Sequence, residues 1–311
     1  MNKTMETLKG RTDLAVELRE DIEEKEEQGL DGISVVTKMD EKTGVKETRI
    51  IVENENGEKL LGKPIGNYIT IEGEDLSEGD EDYHRPIAEA VFGQLKQLLE
   101  GKESILVAGL GNREITPDAL GPFVVDNLYI TRHLLKEKII SHKKSISAFV
   151  PGVMAQTGIE TVELIRTVAN EVKPDMLLVV DALAARSANR LNTTIQISDT
   201  GIVPGSGVGN HRNAITEETM HIPVIAIGVP TVISVPAILY EAMETMMELF
   251  KDLPIGKRME AWSEEDKRQL SYEVCNKRLA EMFVTPKNVD EAIKRMSYTI
   301  SEAINAYIME G

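Results

Sequence analysis

The chain predicts an α/β fold: a mainly parallel central sheet flanked by helices, with a β-rich segment added before it and helices after it. Three observations carry that expectation. Two unbroken apolar runs, Ile105-Leu-Val-Ala-Gly109 and Met176-Leu-Leu-Val-Val180, the second closed by Asp181, have the length and composition of strands buried on both faces. Strand and helix patterns alternate around them, the order of a parallel sheet with crossover helices. The length of 311 residues, with 41% hydrophobic and 28% charged residues, suffices for a large core.

Taken in order, residues 1–13 form a short polar leader, slightly basic through Lys3, Lys9 and Arg11 in a chain of net charge −17. An amphipathic, Glu-rich helix is predicted from Leu14 to Gln28. From Gly32 to Glu72 the pattern turns to strand. Residues 48–52 and 59–61 flank Glu53-Asn-Glu-Asn-Gly57, which reads as a hairpin turn, and 68–71 is another strand. The acidic stretch 72–82 reads as a solvated loop. Ile87, Val91, Leu95 and Leu98 give a helix over 86–100 one apolar face. Strands follow at 105–109, 146–150, 176–181, 193–198 and 223–228, with helices near 119–137, 158–172 and 235–251. Two further helices, 264–283 and 289–308, are separated by Thr285-Pro286. The expected organisation is the 1–13 leader and one domain over 14–311. That domain divides into a β-rich part at about 32–72, an α/β core at about 101–251 and a helical part at 252–311.

Composition excludes several classes. Aromatic residues at 4% argue against a base-stacking platform, and the acidic balance repels phosphate backbones, so no direct nucleic-acid binding is expected. The single cysteine, Cys275, excludes an internal disulfide framework and suits packing in a reducing interior. No signal-peptide core and no membrane-spanning apolar run is visible, which predicts a cytoplasmic protein without membrane contact.

Asp118 and Asp181 follow the two strong strands. Ligands collect outside the carboxyl ends of parallel strands, so both acids are expected to overlook one crevice. Paired carboxylates can divide acid and base work there. Thr116-Pro-Asp118 also reads as a helix start, with Thr116 as cap and Pro117 in the first position. That context makes Asp118 the candidate ionised partner. Asp181 reads alternatively as a turn cap. Gly109-Leu-Gly111-Asn112 is either a tight turn or a ligand-lining backbone; Glu114 stands where the nucleotide fingerprint needs its third glycine. The loop from Asp199 to Arg212, with Gly205, Gly207 and Gly209, can offer amides to a carbonyl or anion, or be simply flexible. Ser206 lacks a nucleophile elbow because position 204 is proline. The five histidines form no HExxH motif, though His211 in the glycine-rich loop leaves a metal role open. No cofactor and no metal is predicted.

Nine stretches together resemble the germination protease family of spore-forming bacteria. They are Arg11-Thr-Asp-Leu-Ala-Val-Glu17, Gly62-Lys-Pro-Ile-Gly-Asn-Tyr68, Val107-Ala-Gly-Leu-Gly-Asn112, Thr116-Pro-Asp-Ala-Leu-Gly-Pro122 and Thr131-Arg-His133. Pro151-Gly-Val-Met-Ala-Gln-Thr-Gly158, Val180-Asp-Ala-Leu-Ala-Ala-Arg-Ser187, Pro204-Gly-Ser-Gly-Val-Gly-Asn210 and Met282-Phe-Val-Thr-Pro286 complete the set in order. The resemblance implies an aspartic-type endopeptidase of the spore core that degrades small acid-soluble spore proteins at germination. It implies a fold similar to the hydrogenase-maturation peptidases, a homotetramer, and a zymogen that removes its own N-terminal propeptide. It places the two essential acids at Asp118 and Asp181. Family substrates are cut after an acid and before an apolar residue, with alanine next and an acid further on. Asp13-Leu14-Ala15-Val16-Glu17 fits that pattern, so self-cleavage is expected between Asp13 and Leu14; the alternative is that Asp13 only caps a helix. A basic subsite for the acidic residue is then expected, with Arg186, Arg190 and Arg212 as candidates. Arg113-Glu114-Ile115 and Val232-Ile-Ser-Val-Pro236 depart from the family's pattern. Two rival readings remain: a metal-dependent maturation peptidase of the same fold using Asp118, Asp181 and His211, and a non-catalytic small-molecule binding protein using the turn at 109–112.

Overall fold

A computed structural model describes residues 12–23, 31–73, 84–141, 144–208, 213–254, 262–275 and 277–310. The acidic stretch from 74 on, together with Gly209, His211 and Arg212, lies outside them.

Among the described residues nine strands form one sheet: β1 (Ile33–Met39), β2 (Lys46–Val52), β3 (Gly66–Glu72), β4 (Ser104–Gly109), β5 (Ser145–Phe149), β6 (Met176–Ala185), β7 (Thr194–Ser198), β8 (Val224–Ser234) and β9 (Phe283–Val284). Their order is β1-β2-β3-β7-β8-β6-β4-β5, with β9 attached to β8. Neighbours from β8 through β6 and β4 to β5 run parallel. From β1 to β8 the pairs are antiparallel. The N-terminal strands therefore extend the same sheet as the α/β core.

Each face of the sheet is covered according to its sequence period. On one face Ile105, Val107, Leu178, Val180, Ile225 and Ile227 meet the helices Arg85–Leu98, Leu120–Asp126 and Val289–Met309. On the other, Leu106, Ala108, Leu177 and Val179 meet the helix Thr161–Val172. Side chains alternate across a strand, so one continuous apolar run supplies both cores. Fully burying each such Leu or Ile contributes about 1.5–3 kcal/mol.

Four expectations need correction. The stretch at 53–61 is no hairpin: Glu55–Leu61 is a helix, because the Asn54 side chain accepts from the Asn56 and Gly57 amides and caps it. Gly57 is needed there, since a Cβ would lie 2.1 Å from the Gly32 carbonyl oxygen. The helix expected over 119–137 is two helices, Leu120–Asp126 and Arg132–Lys136. The break is held where the Tyr129 amide donates to Asn305 Oδ1 and the Thr131 hydroxyl to the Lys144 carbonyl. The helix expected over 264–283 divides into Glu264–Val274 and Lys277–Ala280, and the chain then enters β9. Finally, β6 and β8 run past their expected ends, pairing to Ala185 and Ile233 across an irregularity at Leu183/Ala184.

Candidate active site

β4 ends at Gly109, and the chain leaves the sheet through a turn that needs glycine. A Cβ on Gly109 would stand 2.3 Å from the Gly121 carbonyl oxygen. Gly111 has φ +108°, and its Cβ would lie 1.9 Å from the Asp118 carbonyl oxygen. This close approach lets the Asn112 amide donate to the Asp118 main-chain oxygen at 3.1 Å and to its carboxylate at 2.8 Å. Asp118 ends a short 3-10 turn, Thr116–Asp118, and the α-helix starts only at Leu120. Thr116 makes no side-chain cap, contrary to expectation, because the turn is tied back to Asn112 instead. Thr231 on β8 fixes it from the other side, donating to the Pro117 carbonyl at 2.7 Å.

Asp181 was expected to close its strand and lies within it. β4 pairs with β6 only as far as Val180, so Asp181 is the first β6 residue beyond β4's reach. It is 5% exposed, and its carboxylate accepts the Ala182 amide at 2.9 Å. Asp118 and Asp181 line one cavity of about 320 Å³, together with Gly111, Gly205, Thr231 and Asp13. A second cavity of about 290 Å³ shares Asp13 and Leu183 and adds Lys63, Tyr68, Gln196 and Ser206.

Asp13 thus stands at the border of both cavities. It adds to the extended end of β6, donating its amide to the Ala184 carbonyl at 3.0 Å. Its carboxylate accepts the Ala184 amide at 2.9 Å and the Ser206 hydroxyl at 2.5 Å. A Cβ on Gly207 would fall 2.1 Å from that carboxylate, so the glycine makes room for it. The side chain therefore caps no helix. The Asp13 carbonyl accepts from Lys63 Nζ at 3.0 Å and Gln196 Nε2 at 3.2 Å. Leu14 and Ala15 are fully buried beyond it, and the Ala15 amide donates to Gln196 Oε1 at 2.7 Å.

The helix Ala15–Glu23 then carries a second held acid. Glu17 is fully buried and accepts the Arg186 amide at 2.8 Å, the Ser187 amide at 2.9 Å and Arg190 Nη1 at 3.4 Å. Arg186 Nη2 donates to the Glu17 carbonyl at 2.7 Å. Burial works against the Arg190 charge, but Glu20, Glu17 and Glu72 outweigh it and hold the guanidinium above its ordinary pKa. Burial pushes the Lys63 ammonium down, partly opposed by Asp13.

The residues singled out in the sequence are therefore distributed as follows. Asp118, Asp181, Gly111 and Gly205 meet in one cavity; Asn112 ties its rim; Gly207 abuts Asp13; Gly109 is a packing residue. Arg186 and Arg190 meet Glu17, whereas the Asp13 carboxylate is held by the neutral Ala184 amide and Ser206 hydroxyl. Lys63, Gln196 and Ser206 were not anticipated as contacts of Asp13. The available signal was a polar Gln196 set between Ile195 and Ile197 in a strand, and a Lys63 in a turn between glycine and proline. Among the described residues no three His, Cys, Asp or Glu side chains group as a metal site would require. No helix among them is long and apolar enough to cross a membrane.

Residues 10–261 match the family model of the germination protease. A germination protease from Caldanaerobacter subterraneus subsp. tengcongensis is 43% identical, with 97% of this chain and 94% of that protein covered. Those from Clostridium tetani and Bacillus cytotoxicus are 41% and 38% identical, each over 95% of this chain and covering 94% and 92% of their own. A crystal structure of the [NiFe] hydrogenase maturation protease HycI from Thermococcus kodakarensis aligns with 44% of this chain and 80% of its own at 22% identity, with a TM-score of 0.28, too low to carry an argument. The near full-length agreement with several relatives, on a chain whose α/β sheet frames a cavity holding two aspartates, identifies this protein as a protease belonging to the germination protease family.

Proposed function

We propose that the chain is an endopeptidase that degrades small acid-soluble spore proteins at germination, acting in the spore core as a homotetramer and made as a zymogen that cuts its own Asp13–Leu14 bond. One observation carries this reading: Asp13 lines the same cavity as Asp118 and Asp181. In this mechanism one ionised carboxylate takes a proton from water, and the water oxygen attacks the Asp13 carbonyl carbon. The second, protonated carboxyl group gives its proton to the Leu14 nitrogen as the C–N bond breaks. Asp118, which accepts the Asn112 amide, is assigned the ionised role, and the more enclosed Asp181 the acid role.

The contacts of the 12–17 segment supply a specificity. An acid before the cut would be read by the Ala184 amide and Ser206. An acid four residues later would be read by the Arg186 and Ser187 amides and Arg190. The two pockets differ in charge, since Arg190 adds an ion pair to the second while the donors to the first carboxylate are neutral.

The test follows N-terminal processing of the full chain by mass spectrometry, and hydrolysis of a peptide containing Glu-Ile-Ala-Ser-Glu with chelator present. Asp118→Asn and Asp181→Asn should each slow both reactions by at least about a hundredfold. Ordinary processing in either variant would refute the paired-acid mechanism, and an intact Met1 in the matured wild-type protein would refute self-cleavage at Asp13–Leu14.

A further inference from the structure

We infer that Lys63 and Gln196 form an oxyanion site: they take up the negative charge that develops on the carbonyl oxygen of the residue before the cut, Asp13 in the chain itself. The inference rests on the endopeptidase reading above and adds two catalytic residues to it.

The geometry comes from three separate parts of the chain. Lys63 follows Gly62, which ends the helix Glu55–Leu61 in the left-handed conformation at φ 69° and turns the next residue inward. The turn is pinned beyond it, because the Tyr68 hydroxyl donates to the Pro64 carbonyl at 2.8 Å. Gln196 lies in the middle of β7, directly opposite Gly228 of β8, which is itself opposite Asp181 of β6. Residues opposite one another share a face, so Gln196 and Asp181 stand on the same face two strands apart, roughly 10 Å between Cα atoms. The Leu183 side chain lies over Gly228 between them, and Asp13 borders the cavities on both sides of it. The Gln196 amide is held in register because its Oε1 accepts the Ala15 amide, which turns Nε2 toward the Asp13 carbonyl.

Both donors are thus within reach of one oxygen before any reaction occurs, at 3.0 and 3.2 Å. When water adds to the carbonyl carbon, the C=O electron pair moves onto that oxygen. A preorganised ammonium and amide then gain in interaction strength, and more so where water is excluded. When the intermediate collapses the pair returns, the C–N bond breaks and the Leu14 nitrogen takes its proton from the acid. Lys63 is unusual as a structural lysine. Its hydrogen bond goes to a main-chain carbonyl, while the Asp13 carboxylate acts on it only as a nearby opposing charge.

The self-cleavage rate of the full-length chain tests this directly, because the reacting segment is already bound and the rate reports chemistry rather than affinity. Lys63→Met keeps the apolar stem and should slow the appearance of the Leu14 N-terminus by about 10²–10³-fold, with Gln196→Ala slowed to a similar degree. Lys63→Arg, which restores a cationic donor, should run at least about tenfold faster than Lys63→Met. Amide exchange over residues 14–17 should be unchanged in Lys63→Met, showing the segment still docked. Processing of Lys63→Met within about threefold of wild type overturns the assignment while leaving the endopeptidase reading intact. So does a slow Lys63→Met in which exchange protection is lost and arginine restores nothing, since the lysine would then only hold the segment in place. A wild-type chain that never cuts at Asp13–Leu14 takes down both.

Discussion

Tyr68 governs the turn that delivers Lys63. Its hydroxyl donates to the Pro64 carbonyl and accepts from Thr200 Oγ1 at 3.1 Å, and the ring is 3% exposed. Burial pushes the phenol up to about 12 from its ordinary 10.0. The unfolded chain therefore releases this proton first, so the stabilisation is full below pH 10 and is lost as pH rises through about 12. Thermal melts across that range should show Tyr68→Phe losing Tm less steeply than wild type, after a cost of about 1 kcal/mol at neutral pH from the missing hydrogen bond. Parallel slopes would show that the phenol is not strained by burial. Single residues also show what a sequence can reveal. That Asp118 and Asp181 line one cavity was legible because each comes after an unbroken apolar run, where a carboxylate stands out. Lys63 was not, because its position depends on a left-handed glycine and on strand partners far away in the chain.

Among the elements, the helix Val289–Met309 is the one most deeply committed to the core. Ile293, Met296, Ile300, Ile304 and Ile308 recur at helical spacing and are at most 2% exposed, facing the helices Arg85–Leu98 and Leu120–Asp126. Ile300→Ala should cost about 2–5 kcal/mol, read as a lower denaturant midpoint at unchanged slope, with activity per folded molecule preserved. A loss below 1 kcal/mol, by the same cavity argument, would mean that the helix merely overlies the core. This helix and the strands β4 to β8 were readable from periodicity, since long apolar patterns outweigh local ambiguity. The helix Glu55–Leu61 was misread because Asn-Glu-Asn-Gly has turn composition, and only the Asn54 cap and the tight packing of Gly57 under Gly32 decide for helix. β6 was read short because its charged Asp181 resembled a strand end, while Ala182 and its neighbours continue to pair with β8.

Across the whole molecule, the aspartate cavity opens on the parallel half of the sheet, the second cavity lies at the β7–β8 junction with the antiparallel half, and Asp13 of the 12–17 segment borders both. This arrangement explains why composition and local motifs could propose the two acids without revealing the rest of the site: its members come from both halves of the sheet and from the start of the chain. The burial of Leu14 has a thermodynamic consequence for the fate of that segment. Its amide donates to Thr12 Oγ1 at 3.0 Å, and the residue is fully enclosed. Hydrolysis at the proposed bond would turn this nitrogen into an ammonium while its acceptor departs with the leader. An ammonium at this enclosed position, its former acceptor gone, costs several kcal/mol unless a cavity carboxylate pairs with it. The reaction would thereby convert a well-packed plug into an expelled chain end, driving its own irreversibility without any second signal. Amide exchange over 14–23 should rise after processing while that of 176–185 stays slow; equal protection before and after would show that the new terminus remains seated and that the groove must be emptied by an incoming competitor.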